Sequence, residues 1–386
     1  MKKTVRLFDE SSRIRIFSAT VLSCSAIENG DFAVVLDKTA FFPNEGGQAC
    51  DRGILGGSDV LSVDETEGVI THIVKSPLEA GKIIDGEIDY AERFRKMQNH
   101  TAEHIVSGII HSLFGYENVG FHLGAGYMTA DFSGELSEDD IQRVEMLANR
   151  AVFECRKVTA RYPETEELKA LKYRSKLDLT EGVRIVEIEG VDACACCAPH
   201  VENTGEVGLI KITEHIRYKG GMRLTMVAGS DALEDYRLRS AQIRRVSMAI
   251  SAKQEEIAEG VERLLDDMSG LRAQISQLKR ERVERALESI EETDGAICIF
   301  EELDDMLALR NLVNGALVKA GRVCAVFSGN DESGYKYIIA SNSVDLRALS
   351  REINLSLDGK GGGSSAMIQG SCRASREAIE KYIYSI

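Results

Sequence analysis

Two short segments carry side chains that could hold a metal ion: His100 and His104 in NHTAEH, and Cys196 and His200 in CCAPH. Each pair is spaced i, i+4, which on a helix puts both side chains on one face, close enough to share an ion. Together they offer three imidazoles and one thiolate. That nitrogen–sulfur set suits Zn2+ better than other common biological metals. The chain holds seven histidines and three of them fall in these two motifs, so the spacing predicts one zinc ion per chain. Cys194 and Cys197 flank the second pair, and Cys196 is chosen because it alone repeats the i, i+4 step to His200.

The same residues admit a second chemistry. His100-Thr101-Ala102-Glu103-His104 also spells H-x-x-E-H, a zinc-peptidase signature in which the Glu is the general base, with Glu181 or Glu187 completing the ligands. That reading leaves Cys196 and His200 without a role.

A chain of 386 residues can form two or three domains, and 44% hydrophobic content is enough for ordinary buried cores. No apolar run approaches the roughly 18–20 residues that span a bilayer. The first segment, MKKTVRLFDESSRIR, lacks the apolar stretch of a signal peptide. Nine scattered cysteines then read as free thiols and metal ligands, and a cytoplasmic location is expected. A net charge of −15 excludes a generally basic nucleic-acid-binding surface and leaves two local basic tracks. These are Lys169, Lys172, Arg174 and Lys176, and Arg217, Lys219 and Arg223.

The elements that must position the ligands follow from periodicity. Residues 1–90 alternate β-branched and aromatic runs (RIRIFSATVLSC, DFAVVLD) with turn residues, predicting an N-terminal β-barrel-like domain. Residues 91–231 predict an α+β zinc domain. In it, a helix from Tyr90 to Leu113 carries His100 and His104, a hairpin spans 119–133, a helix spans 137–156, and strands return over 183–228. Residues 232–293 lack proline and read as a helical coiled segment. Ile257, Val261, Leu264, Met268, Leu271, Ile275 and Leu278 recur at alternating steps of four and three, a heptad seam that needs a partner helix from this chain or another. Residues 294–386 predict an α/β domain with strands in GAICIF, RVCAVFSG and YKYIIAS. Its Gly-rich loop, DGKGGGSSAMIQGS, lacks the Lys-Ser/Thr ending of a nucleotide-hydrolase loop. The expected class is therefore α+β, in four parts.

Taken in order, these segments resemble the long form of the AlaX-type trans-editing proteins, relatives of the editing half of alanyl-tRNA synthetase. TAFFPNEGGQACDRG (39–53) is similar to that family's T-x-F-Y-P-x-x-G-G-Q-x-x-D-x-G motif, and HTAEH to its H-x3-H motif. CCAPHVENTGEVG is similar to its C-x3-H motif, and KGGGSSAMIQGS to the Gly-rich loop of the DHH-associated C-terminal domain. No segment resembles the class II aminoacylation core, and the chain begins directly at the editing-type barrel. Two details depart from the family. Cys-Cys-Ala-Pro-His stands where the synthetase usually has Cys-Gly-Gly-Thr-His, and Ser364-Ser365 where Arg-Pro is common.

The resemblance implies an ATP-independent aminoacyl-tRNA hydrolase that removes serine, with glycine as a second substrate, from tRNA(Ala). It implies that Gln48 lines the catalytic pocket and that Thr39 contacts the seryl hydroxyl. Lys360, Gly361, Gly362 and Gly363 are implied to touch tRNA. A homodimer through residues 232–386 is expected from the seam, with no membrane partner. Whether the zinc activates water or only organises the site stays open, as does a non-catalytic RNA-binding and dimerisation role.

Overall fold

The computed structural model describes residues 3–175, 182–303 and 305–386, so Lys176 and Glu181 lie outside the described residues. The chain divides into two compact units, Met1–Arg244 and Arg245–Ile386.

In the first unit six strands are hydrogen-bonded neighbours in a closed order. They are Ile16–Ala26, Phe32–Leu36, Val69–Val74, Ser58–Thr66, Gly53–Leu55 and Ile83–Ile88, the last pairing back onto the first. Strict alternation turns Ile70, His72 and Val74 inward, as the two-residue repeat of a strand requires. Phe17, Val21, Val34, Leu36, Val63 and Phe41 complete this interior. Gly86 is needed in the wall, because a Cβ there would lie 2.5 Å from the Phe17 ring.

The helix Tyr90–Phe114 follows directly. Asp89 caps it by accepting from the Glu92 N–H, and Gly115, at φ 70°, ends it in the left-handed conformation that glycine tolerates best. Ala102, Ile105, Val106 and Ile110 are buried against an antiparallel sheet ordered Ile210–Tyr218, Gly221–Ala228, Met128–Phe132, Asn118–Leu123. The helix Glu138–Phe153, opened by a reciprocal Ser137–Asp140 capping box, buries Val144 and Ala148 in the same core. A second small sheet, Val158–Arg161, Ile185–Ile188 and Asp192–Ala195, delivers the chain to Cys196.

A fully buried ion pair joins the strand ring to the helix. Arg93 Nε lies 2.9 Å from both Asp51 carboxylate oxygens, and one terminal nitrogen also contacts Asp51 and donates to the Ala40 carbonyl at 2.7 Å. Asp51 accepts in addition from the Phe42 N–H at 2.7 Å. Lys96, one helical turn on, donates to the Cys50 carbonyl at 2.6 Å.

In the second unit the helix Ile257–Glu288 leads to a five-stranded sheet ordered Ile297–Phe300, Val323–Asn330, Gly334–Ser341, Met367–Cys372, Gly359–Gly363. The helix Met306–Leu317 covers one face, and the helices Leu346–Ser356 and Arg376–Ile383 cover the other. Gly260 lets the preceding turn come close: a Cβ there would lie 2.8 Å from Ile250. Along the heptad seam Val261, Leu264, Met268, Leu271, Ile275 and Leu278 are all exposed.

The four-part fold class is corrected in three respects. Residues 1–90 do not stand as a separate β-barrel domain, because the strand ring and the ligand helix belong to one compact unit. The C-terminal sheet has one parallel pair and three antiparallel ones, so it is not an α/β arrangement. The Gly-rich segment is not a loop but an edge strand, Gly359–Gly363, paired with Met367–Cys372. Its glycines serve packing: a Cβ on Gly361 would lie 2.4 Å from the Tyr337 hydroxyl, and one on Gly363 would lie 2.2 Å from the Met367 carbonyl.

Replacing Asp51 by Ala leaves Arg93 charged and buried without a partner, which costs about 3–5 kcal/mol. Urea denaturation of Asp51→Ala should show a loss of that size, against under about 0.5 kcal/mol for an exposed control such as Lys75→Ala, whose 4.0 Å pair with Asp59 is solvated.

Candidate metal centre

His100 and His104 project from one face of the ligand helix, as their spacing requires. Cys196 and His200 instead lie in an irregular segment after the strand Asp192–Ala195. That segment is held by Arg184, whose guanidinium donates to the carbonyls of Cys196 at 3.1 Å and Ala198 at 2.8 Å. One ligand atom from each of His100, His104, Cys196 and His200 comes within 4.8 Å of the others. Cys196 Sγ is 3.6 Å from His100 Nε2 and 3.4 Å from His200 Nε2.

Each imidazole is backed on its other nitrogen. His100 Nδ1 meets Gln48 Oε1 at 3.0 Å, and His200 Nδ1 meets Thr101 Oγ1 at 2.9 Å. His104 Nδ1 is 3.2 Å from Asp192 Oδ2, an ion-pair distance that falls short of hydrogen-bond geometry. Asp192 is itself clamped by Arg174 at 2.8 Å through both oxygens. Outer partners of this kind fix the ring orientation of metal-ligating histidines. The donor chemistry fits a borderline-soft dication such as Zn2+.

At Cys196 and His200 the charges support the same set. Burial pushes the Cys196 thiol up, yet the His100 and His200 imidazoles and hydrogen bonds from His100 and His104 hold it well below its ordinary value. Burial drives His200 down to about 3, so it is neutral and able to donate a lone pair. Burial also raises Cys194 and Cys197, keeping both as thiols. Cys197 lies against Gly46, whose Cβ would be 3.2 Å from its sulfur, rather than in the cluster. A second group, His104, Asp192 and Cys194, shares His104 with the first.

The cluster opens on a cavity of about 410 Å3 lined by His100, Glu103, His104, Asn118, Phe121 and Arg174, with others around its mouth. Gln48 is brought to the centre through His100. Its Nε2 is buried without a partner. Thr39 is not brought there. It is fully buried, its hydroxyl lies 2.9 Å from His72 Nε2 and accepts from the Phe41 N–H at 3.1 Å, and it does not line the cavity. Burial pushes His72 down to about 4. Glu187 is exposed on its strand and also away from the cluster. Lys360, Gly361, Gly362 and Gly363 lie in the other compact unit.

Spacing did not reveal Asp192, Arg174 or Arg184, because each acts on a partner at least 12 residues away, beyond the reach of helix or strand periodicity. Arg174 had been read as part of a basic track, yet it is spent on Asp192. Arg217 and Arg223 are likewise paired, with Glu135 and Asp131.

The strand ring adjoins an α+β layer that carries a buried nitrogen–sulfur cluster, a candidate metal site. The family model described as "Threonyl and Alanyl tRNA synthetase second additional domain" matches residues 183–264, which include Cys196 and His200. The model described as "tRNA synthetases class II (A)" matches residues 6–92, where no resemblance to the class II aminoacylation core was expected; those residues form the strand ring and the start of the ligand helix. The chain is 27% identical over 390 residues to an alanine–tRNA ligase of Ignicoccus hospitalis, covering 98% of this chain and 42% of that one. It is 29% identical to that of Pyrococcus abyssi (99% and 44%) and 30% identical to that of Halobacterium salinarum (88% and 38%). The chain thus spans about two fifths of the length of these curated relatives. The solved C-Ala domain of Aquifex aeolicus alanyl-tRNA synthetase shares 26% identity over 25% of this chain and 99% of its own, at a TM-score of 0.21 too low to support a structural argument. This chain is related to the alanyl-tRNA synthetase family. Among the described residues no helix is long and apolar enough to cross a membrane.

Metal retention tests the centre. Elemental analysis of the purified chain should find one zinc, lost in a His100→Ala/His104→Ala variant and in Cys196→Ala but kept in Cys197→Ala. Asp192→Ala should weaken metal affinity about 10- to 100-fold.

Proposed function

We propose that the chain hydrolyses the ester bond of mischarged tRNA(Ala), with Ser-tRNA(Ala) the main substrate and Gly-tRNA(Ala) the second. The observation that carries this is the convergence of His100, His104, Cys196 and His200 on a cavity large enough for an aminoacyl group, in a relative of alanyl-tRNA synthetases. A zinc ion held by those four residues would supply Lewis acidity and charge stabilisation for the oxyanion of ester hydrolysis. The chain's own side chains do the positioning. Gln48 fixes the His100 ring from behind, its own Nε2 buried without a partner, while Phe121 packs 4.7 Å from the same ring.

The substrate choice follows from what an alanine site cannot reject. A pocket built for a methyl group discriminates poorly against an added hydroxyl, so serine is the natural error, and smaller glycine also fits. A second site that hydrogen-bonds the hydroxyl rejects alanine far better, because its own polar groups would go unpaired. Thr39 is the proposed reader on the strength of its motif alone, since it lies outside the cavity lining. With Phe41 N–H and His72 engaged, its oxygen has one lone pair left.

Deacylation of Ser-, Gly-, Ala- and Thr-charged tRNA under matched conditions, with a peptide as control, tests the reading. Serine and glycine should be released and alanine largely spared. Equal rates on serine and alanine, or cleavage of the peptide alone, would reject it. Thr39→Val keeps the shape and should lower the serine-to-alanine rate ratio. An unchanged ratio in a destabilised protein would confine Thr39 to a packing role inside the strand ring.

The second unit is proposed to hold the tRNA and to dimerise. Lys336, Lys360 and Arg373 line one groove of about 750 Å3 beside the Gly359–Gly363 edge strand. In a chain of net charge −15, such a local cationic groove makes RNA binding salt-sensitive. The exposed seam, two-fold paired with a second copy, would bury its leucines. In the full chain, Lys336→Ala/Lys360→Ala/Arg373→Ala should weaken tRNA binding and flatten its dependence on log salt by about two to three units of slope. Leu264→Glu/Leu271→Glu should convert a dimer to a monomer by light scattering.

A further inference from the structure

We propose that Glu103 is the anchor for the α-ammonium group of the substrate, so that this cavity accepts aminoacyl esters with a free amine and refuses N-acylated ones. The proposal rests on the ester-hydrolase reading above and specifies which esters enter.

Among the described residues that line the cavity, the arginines already have carboxylates. Arg6 lies 3.2 Å from Asp9 and 3.4 Å from Glu45, Arg174 holds Asp192 at 2.8 Å, and Arg184 reaches Asp9 at 3.5 Å. Glu45 is thereby matched by Arg6. Glu103 is different. It is 4% exposed, and the two groups that hydrogen-bond it, the Ser107 hydroxyl and the Asn118 amide, are both neutral and both donate to Oε1. Asn118 cannot turn its carbonyl there, because that oxygen accepts from the Gly120 N–H at 3.0 Å. One oxygen of the carboxylate is therefore locked. Oε2 has no hydrogen bond and lies 3.9 Å from His104 Nε2, on the side of the ligand cluster. Its charged neighbours are His104 and Arg174, the latter already committed to Asp192, so an ammonium that enters the cavity meets a buried carboxylate oxygen with its hydrogen-bonding capacity unused.

The geometry of an aminoacyl ester supplies the cation in the right place. Its ammonium sits on the carbon next to the carbonyl that is attacked. A substrate with that carbonyl at the metal centre must bring its ammonium within a few ångström of the centre, where Oε2 lies. The position is also private to the ligand motif: Glu103 precedes His104 in the helix, and Ser107, one turn further on, sets its rotamer.

The test uses the full chain with its metal and two pairs of probes. The first pair is Ser-tRNA(Ala) and N-acetyl-Ser-tRNA(Ala), compared in deacylation. The second is a non-hydrolysable amide-linked 3′-seryl-aminoadenosine and its N-acetyl form, compared by calorimetry. The wild-type chain should favour the free amine in both measurements by about 10- to 100-fold, the range of one charge-assisted hydrogen bond. Glu103→Gln should lose that preference by weakening on the free-amine probes alone, with zinc content unchanged. Equal handling of free and acetylated probes by the wild-type chain would overturn the proposal without any variant. So would a Glu103→Gln loss that falls equally on both probes, or one that tracks loss of zinc, which would make Glu103 a charge partner of the metal. Amine-selective, Glu103-dependent binding with no deacylation would instead leave the anchor standing and defeat the hydrolase reading.

Discussion

The site depends on one buried contact, the pairing of Arg93 with Asp51. A guanidinium and a carboxylate taken fully out of water are tolerable only if every polar atom finds a partner, and here they recruit the Ala40 carbonyl and the Phe42 N–H as well. Those two backbone groups belong to the segment that runs on to Gln48, while Arg93 lies two helical turns before His100. The pair therefore sets how the strand ring and the ligand helix meet. Gln48 can reach His100 at 3.0 Å because this lock holds both ends.

From there outward the cavity is built by compensation. Arg174 neutralises Asp192, which orients His104. Arg184 satisfies the carbonyls of a segment that has no regular structure of its own. Thr101, between the two helical ligands, reaches across to His200. The metal-type centre is thus supported from one helix and two irregular segments. Glu103 departs from that pattern: both its hydrogen bonds fall on Oε1, and Oε2 lies 3.9 Å from His104.

Much of this was legible in the chain, for identifiable reasons. The ligand helix announces itself through the apolar steps at Ile105, Ile109 and Ile110. The ligand set was visible because three of the seven histidines crowd into two motifs. The argument for Cys196 assumed helical spacing in a segment that is not helical. What brings its sulfur to three imidazoles is the Arg184 clasp, which joins residues 12 and 14 apart. Long-range pairs such as Asp51–Arg93 leave no local signature. The glycine run misled for a different reason: glycines read as a turn, whereas Gly361 and Gly370 are small so that the Tyr337 hydroxyl can sit against two strands at once. The domain division was hidden because the closing contact between ring and helix involves a charged pair rather than a hydrophobic pattern.

The unequal footing of the two ligand pairs has a consequence for assembly. One pair rides on a capped helix of 25 residues, whose geometry is settled by its own backbone. The other hangs from a strand of four residues and an irregular stretch tied by one arginine. A chelate whose first two arms are rigid loses little entropy at those arms, and nearly all of the ordering cost falls on the second pair. The centre then works as a clasp: the helix offers a fixed eye, and closing it fastens the segment from Cys196 to His200 onto a helix nearly a hundred residues earlier in the chain.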